Sequence, residues 1–293
     1  MERFIMQDLI AWKNREDRKP LILLGARQVG KTYILKEFGQ REFENVAYIN
    51  CDNNAMAKDL FASDYNIDRI LLTIGAITGV NIEAGKTLII MDEIQELYRG
   101  LASLKYFCEN AREYHVAVAG SLLGLSLHQG ESYPVGKVNT LEMYPMTFEE
   151  FLWARGFKQR MDLLQLGMWD VVKSLRTLYI QHLREYYLVG GMHEAVHKFI
   201  ETNDANTVRE VQEEIIRADE KDISKHAPKE QVVRINQVWN SIPSQLAKEN
   251  KKFIYGVVKQ GARAKDYELA IQWLIDAGLV YKISRVKTLG LPL

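Results

Sequence analysis

An α/β fold is predicted, with a parallel sheet of about five strands and helices on both faces. Two observations carry this prediction. Short apolar segments alternate with segments of helical periodicity along the first half of the chain. The first apolar segment also runs directly into a glycine-rich loop that opens a helical segment. In such sheets ligands bind at the carboxyl ends of the strands. The predicted strands are Leu21–Leu24, Val46–Asn50, Thr87–Met91, Val116–Ala119 and Lys137–Tyr144.

The glycine-rich loop fits the phosphate-binding pattern GxxxxGK[ST]. Gly25, Gly30, Lys31 and Thr32 fill its fixed positions. Glycine has no Cβ, so backbone N–H groups can turn toward a phosphate chain, and the following helix directs its positive end at the same anion. We expect Lys31 to reach the β- and γ-phosphates and Thr32 to bind Mg²⁺. The alternative is a strand-to-helix turn without a ligand. The predicted nucleotide-binding residues are Gly25, Ala26, Arg27, Gln28, Val29, Gly30, Lys31, Thr32 and Tyr33.

Two adjacent acidic residues complete the predicted site of a P-loop NTPase. Asp92 and Glu93 directly follow the apolar strand Thr87–Met91. We expect Asp92 to hold the Mg²⁺ ion, through water, and Glu93 to polarise an attacking water molecule. The sequence has no guanine-reading NKxD segment. ATP is therefore the predicted nucleotide, with Mg²⁺ held by Thr32 and Asp92.

Ser121 is a further catalytic candidate, together with Lys31, Asp92 and Glu93. It follows the predicted strand Val116–Ala119, where a hydroxyl could contact the γ-phosphate or the attacking water. The alternative is that Ser121 caps a helix over residues 122–127. Gln95 and Glu96 are interpreted as the first turn of a helix rather than as site residues.

Residues 148–230 are predicted to form a helical lid after a core over residues 1–147. The segment Thr147–Glu150 is a T-x-x-E capping box, and Met146 with Phe151 fits the accompanying hydrophobic staple. A second T-x-x-E pattern, Thr207–Glu210, predicts a helix starting at Thr207. The glycine pair Gly190–Gly191 separates helical segments. His182, His193 and His197 lack acidic or cysteine partners at metal-ligand spacing.

Residues 231–293 are predicted to form a winged-helix domain. A helix is expected over Asp266–Ala277, followed by a hairpin or wing over residues 279–287. Residues 231–287 carry ten Lys/Arg and four Asp/Glu, although the whole chain has no net charge. The functional interpretation is DNA binding, with Arg263 and Lys265 contacting phosphates. The structural alternative is a winged helix that closes the nucleotide site.

Composition excludes several other classes of protein. Hydrophobic residues make up 47% and charged residues 26% of the chain, which is typical of a globular protein. The longest apolar stretches are much shorter than the roughly 20 residues of a membrane span. The first residues carry acids among apolar residues, which predicts an amphipathic helix instead of a signal peptide. Two cysteines without metal spacing fit a cytoplasmic protein.

The order of these motifs resembles a prokaryotic family of AAA+-type ATPases, close to the archaeal ATPase and STAND groups. The segments are GARQVGKT, IIMDEIQ, VAVAGSLLG, FEEFL and LVGGMHEAV, followed by the winged helix. The resemblance implies an ATP-binding core, a helical lid and a winged helix. It also implies that Gly25–Thr32 is the Walker A loop, that Asp92 and Glu93 are Walker B, and that Ser121 is the sensor-1 residue.

Three features depart from that family. Gly136–Lys137 stands where the family has Gly-Arg, and lysine lacks the bidentate fork of an arginine finger. His193 stands where the family has proline after the glycine pair. Relatives usually continue into a C-terminal domain of unknown function, which we expect to be missing because the chain stops at Leu293.

Three functional hypotheses follow. One is a nucleotide-stabilised scaffold for a missing partner domain, which predicts tight ATP binding with neither turnover nor DNA affinity. The other two are more specific. The first is a nucleotide-driven switch or motor that hydrolyses Mg·ATP, with a homo-oligomer as an open alternative to a monomer. The second is a DNA-binding regulator that senses nucleotide with little or no turnover.

Overall fold

A computed structural model describes residues 1–52, 54–120, 134–249 and 252–284. The chain forms two compact units, Met1–Arg217 and Ala218–Leu293. The predicted boundaries after residues 147 and 230 divide the chain more finely than these two units and remain a proposal.

The first unit is built on a five-stranded parallel sheet with the strand order β2-β3-β4-β1-β5. All five predicted strands are confirmed, with small changes at their ends. The last strand is shorter than the predicted Lys137–Tyr144, because Lys137 lies in a turn where its N–H donates to the Pro134 carbonyl at 2.9 Å. The strands are β1 Leu21–Leu24, β2 Asn45–Asn50, β3 Thr87–Asp92, β4 His115–Ala119 and β5 Asn139–Glu142.

Helices cover both faces of the sheet, as predicted. Successive strand residues point to opposite faces, so Leu88 and Ile90 of β3 belong to one hydrophobic core and Ile89 to the other. The predicted N-terminal helix buries its apolar side in the first of these cores. The helices over one face are α1 Ile5–Lys13 and α2 Lys31–Glu42, and those over the other are α3 Ile67–Thr78 and α4 Gly100–Asn110.

A run of helices follows β5. The predicted capping box is confirmed: Thr147 Oγ1 accepts from the Glu150 N–H at 3.2 Å, and Glu150 Oε2 accepts from the Thr147 N–H at 3.0 Å. Met146 and Phe151 are buried in one cluster, as the staple requires. These helices are α5 Phe148–Ala154, α6 Lys158–Gln165, α7 Trp169–Ser174, α8 Arg176–Val189, α9 His193–Thr202 and α10 Ala205–His226.

The predicted start of the last of these helices at Thr207 is wrong. Helix α10 begins at Ala205. The Asp204 carboxylate accepts from the N–H groups of Asn206 at 3.1 Å and Thr207 at 3.4 Å. The free N–H groups of the first turn are therefore capped by Asp204, three residues before the Thr207 of the second T-x-x-E pattern.

The second unit is helical where the structure describes it. Its helices after α10 are α11 Val232–Leu246, α12 Tyr255–Val258 and α13 Ala264–Asp276. The predicted helix over Asp266–Ala277 is confirmed and starts two residues earlier, since the Asp266 carboxylate accepts from the Arg263 N–H at 3.1 Å. Residues 279–284 form no strand, and residues 285–287 lie outside the described ranges. The C-terminal region is thus helical, and the winged-helix fold with its wing stays a prediction.

In the described part of the chain, no helix combines the length and the apolar character needed to cross a lipid bilayer.

Candidate nucleotide-binding site

The glycine-rich loop follows β1 at the carboxyl edge of the sheet and turns back tightly before α2. Gly25, Gln28 and Gly30 have positive φ angles of 142°, 61° and 101°. A Cβ atom on Gly25 would lie 2.2 Å from the Met143 carbonyl oxygen, so only glycine fits there. The sequence pattern thus reflects both a backbone conformation and a close approach between two chain segments.

Lys31 lies over this loop and is almost completely buried, with 7% of its surface exposed. Its Nζ donates to the carbonyl oxygens of Gly25 at 2.7 Å and Ala26 at 2.8 Å. Burial lowers the pKa of Lys31 to about 8, and the carboxylates of Glu93 and Asp92 oppose that shift. The protein thus holds a desolvated ammonium group where the sequence predicts phosphate binding.

Thr32, in the first turn of α2, is hydrogen-bonded to Asp92, the last residue of β3. Thr32 Oγ1 donates to Asp92 Oδ2 at 2.6 Å, and the Tyr48 hydroxyl donates to the same oxygen at 3.3 Å. Burial, followed by the charge of Asp92, raises the pKa of Tyr48 to about 12. A hydroxyl and a carboxylate are hard oxygen donors of the kind Mg²⁺ prefers, so these residues fit the predicted ion.

Tyr48 is a site residue that sequence reasoning missed. In the register of the parallel pair β2 and β3, Asn50 lies opposite Asp92. Tyr48 stands two residues before Asn50, so its side chain lies on the same face of the sheet as those of Asn50 and Asp92. Pairing the predicted strands at their carboxyl ends could have pointed to Tyr48.

Glu93 follows Asp92 in a left-handed conformation, with φ of 53°. Such a backbone is uncommon for a residue other than glycine, and it occurs often at functional sites. Gln95, in the 3₁₀ turn Ile94–Glu96, donates from Nε2 to Glu93 Oε2 at 2.5 Å. The prediction that Gln95 belongs to a helical turn is confirmed, and its amide also holds the predicted catalytic carboxylate.

Ser121 lies outside the described residues, so its predicted role stays a prediction. Strand β4, which leads to it, lies between β1 and β3. The end of β4 at Ala119 is paired with Asp92 on one side and with Leu23 on the other.

A cleft of about 710 Å³ opens over the loop within the first unit. Its volume lies in the range of ligand pockets for small molecules and cofactors. The predicted residues Gly25, Ala26 and Val29 are not among the residues that line it. The lining residues are Met1, Arg27, Gln28, Gly30, Lys31, Thr32, Tyr33, Asp92, Glu93, His193, Glu194 and His197.

His193, one of the departures from the family pattern, lies against the loop. Its ring carbon would be 3.4 Å from a Cβ on Gly30, and its ring centroid is 5.0 Å from that of Tyr33. Burial lowers the pKa of His193 to about 4, so the imidazole is neutral at pH 7. The sequence identified this position, but only the fold places it in the cleft.

Lys137 lies at the opposite edge of the sheet. It precedes β5, whose first residue Asn139 pairs with Leu21 at the start of β1. Its Nζ forms an ion pair with Glu109 Oε1 at 2.8 Å. Lys137 does not line the cleft of its own chain.

The comparisons with known families agree with this geometry. Residues 17–152 match the family model of an AAA domain. These residues lie within the first unit of the chain. Residues 180–291 match a domain of unknown function. The expectation that such a C-terminal domain is missing was therefore wrong, because the match lies within the chain itself.

Solved structures show only a distant likeness to this chain. An Orc1 protein of Aeropyrum pernix in complex with DNA is 15% identical, with a TM-score of 0.35, over 94% of this chain and 81% of that chain. An ORC2 protein of the same organism in an ADP form is 15% identical, with a TM-score of 0.41, over 94% and 85%. No curated protein matches the chain significantly.

Proposed function

We propose that the AAA domain binds Mg·ATP in the cleft and hydrolyses it, acting as a nucleotide-driven switch or motor. The observation that carries this proposal is the hydrogen bond of 2.6 Å from Thr32 to Asp92, next to the buried Lys31. The two residues proposed to hold Mg²⁺ and the lysine proposed to bind phosphate therefore lie together at the N-terminus of α2, where an anion is favoured.

Each residue has a defined part in this reaction. The loop N–H groups and Lys31 bind the phosphates, and Thr32 with Asp92 would hold Mg²⁺, which neutralises charge on the β- and γ-phosphates. Glu93 orients a water molecule and accepts its proton as that water attacks the γ-phosphorus. The bond between the γ-phosphorus and the oxygen that bridges it to the β-phosphate breaks, so that ADP leaves with this oxygen and phosphate is released. The Gln95 amide keeps the Glu93 carboxylate in place.

The substitution Glu93→Gln tests the hydrolytic step. It keeps the size of the side chain and removes the base, so we expect ATP to bind with unchanged affinity while phosphate release falls about 100-fold or more. Glu96→Gln is the matched control, because Glu96 is an exposed carboxylate in the same turn. Equal phosphate release by the wild type and Glu93→Gln would refute the assignment.

A DNA-binding regulator is the second candidate. Arg263 and Lys265 are both exposed at the start of α13. Contacts between such cations and phosphates give an affinity that falls steeply with salt. We expect a gel shift at low salt that is weakened by Lys265→Glu and lost in the double variant Arg263→Glu/Lys265→Glu. The control is Lys173→Glu, an exposed lysine of the first unit. If the wild type does not bind DNA at low salt, this candidate is wrong.

A further inference from the structure

Arg3, which sequence reasoning did not select, reaches the backbone of the phosphate-binding loop. The residue is 4% exposed. Its Nη1 donates to the carbonyl oxygen of Val29 at 3.3 Å, and its Nη2 donates to the carbonyl oxygen of Tyr144 at 2.6 Å. One planar guanidinium group therefore connects the loop with the segment that follows β5.

The contact with Val29 bears on phosphate binding through the geometry of the peptide group. In a planar trans peptide, the carbonyl and the next N–H point in opposite directions. Holding the Val29 carbonyl therefore sets the direction of the Gly30 N–H. Gly30 lines the cleft, and its N–H belongs to the group of donors expected to surround the phosphates.

Arg3 is in turn held by Glu150 at the start of helix α5. The Glu150 Oε1 atom lies 3.0 Å from Arg3 Nε in an ion pair, and both side chains are less than 5% exposed. Oε1 also accepts from the Phe4 N–H at 2.7 Å, and Oε2 accepts from the Thr147 N–H at 3.0 Å. Buried ions are costly unless they are paired and hydrogen-bonded. The two charges are paired, and both Arg3 Nη atoms and both Glu150 oxygens form hydrogen bonds to backbone groups, whereas Arg3 Nε contributes to the ion pair without a hydrogen bond of its own.

We propose that Arg3 is a positioning residue for phosphate binding: it fixes the Gly30 N–H through the Val29 carbonyl, and Glu150 couples it to helix α5. This inference rests on the proposed nucleotide binding and is independent of hydrolysis. A change at the start of α5 is thereby transmitted to the loop through one buried ion pair.

The test compares Arg3→Lys with Arg15→Lys. Lysine keeps the charge beside Glu150 but lacks the fork that reaches two carbonyl groups. Arg15 is an exposed arginine paired with Asp17 and serves as the matched control. Binding of pyrophosphate and of ADP is measured by calorimetry at a temperature where each variant is folded. We expect Arg3→Lys to lower the affinity for both ligands by the same factor, roughly tenfold, which is the effect of losing one charge-assisted hydrogen bond. Arg15→Lys should bind as the wild type does.

A purely structural role predicts a different result. It would lower the melting temperature of the ligand-free protein without changing the affinity of the folded protein for pyrophosphate. Wild-type affinity in a folded Arg3→Lys variant therefore overturns the proposal. The double variant Arg3→Met/Glu150→Gln removes both buried charges together, and it should show a similar loss of affinity.

A measurement on the wild-type protein decides the matter if both variants fail to fold. Pyrophosphate should shift the NMR signal of the Arg3 Nε–H group, and an unchanged signal at saturation overturns the proposal. Failure of the proposed function is distinguishable, because it leaves ATP unhydrolysed whether or not pyrophosphate binds.

Discussion

The two edges of the sheet each carry a lysine that the sequence associates with phosphate chemistry, and the structure treats them differently. At the carboxyl edge, Lys31 is buried and donates to two loop carbonyl groups. At the amino edge, Lys137 is 39% exposed and pairs with Glu109. A desolvated cation that contacts only neutral carbonyl groups gains strongly from binding an anionic ligand. An exposed ion pair such as that of Lys137 contributes little to the free energy of unfolding.

The largest expected difference between the edges concerns nucleotide binding. We expect Lys31→Ala to weaken ADP binding by about 100-fold or more, because a charge-assisted contact in a desolvated site is lost. Lys137→Ala should leave the affinity unchanged. Calorimetric titration of both variants checks this, and equal losses of affinity would break the comparison.

Lys137→Ala also separates a monomer from an assembly. If subunits associate so that Lys137 acts on the cleft of a neighbour, ATP turnover falls while affinity stays constant. The loss of turnover should then depend on protein concentration. A measurement of molar mass in each nucleotide state would show whether the subunits associate over the same range of concentrations.

The second difference concerns glycine at the two edges. Gly25→Ala introduces a Cβ that would lie 2.2 Å from the Met143 carbonyl oxygen, whereas a Cβ at Gly136 meets no atom within 4 Å. Both residues have positive φ. We expect Gly136→Ala to lower the free energy of unfolding by about 1 kcal/mol through backbone strain alone. Gly25→Ala should cost about 3 kcal/mol or more, because overpacking adds to the strain. Denaturant unfolding of the two variants measures the difference, and similar losses would contradict the close approach of the Met143 carbonyl to the loop.

The smallest expected effect is the change with pH in the free energy of unfolding and in phosphate affinity. The pKa of Lys31 is about 8 in the folded protein, against an ordinary value of 10.5 for a lysine in water. Between these values the unfolded chain binds more protons, so the contribution of Lys31 to the free energy of unfolding rises with pH. Phosphate binding favours the ammonium form, so affinity falls above pH 8, by up to about tenfold per pH unit. Lys31→Met should remove the contribution of Lys31 to both pH dependences. The test compares the free energy of unfolding and the phosphate affinity of this variant with those of the wild type across the pH range.

Local patterns predicted much of the site. The spacing from Gly25 to Thr32 identified the loop, and the apolar strand before Asp92 identified the second half of the site. The capping box at Thr147 was also predicted, because its partners are three residues apart. The same rule failed at Thr207, where Asp204 competes for the same donors.

By itself the sequence determined the strands, the phosphate-binding loop and the acidic pair, since each depends on residues close together along the chain. Only the tertiary structure decided that Arg3, Tyr48 and His193 reach this loop or its acidic partner. Packing brings Arg3 to Glu150 from distant parts of the chain that no local period relates. A buried ion pair of this kind depends on shape and desolvation in three dimensions, which spacing along a chain does not encode.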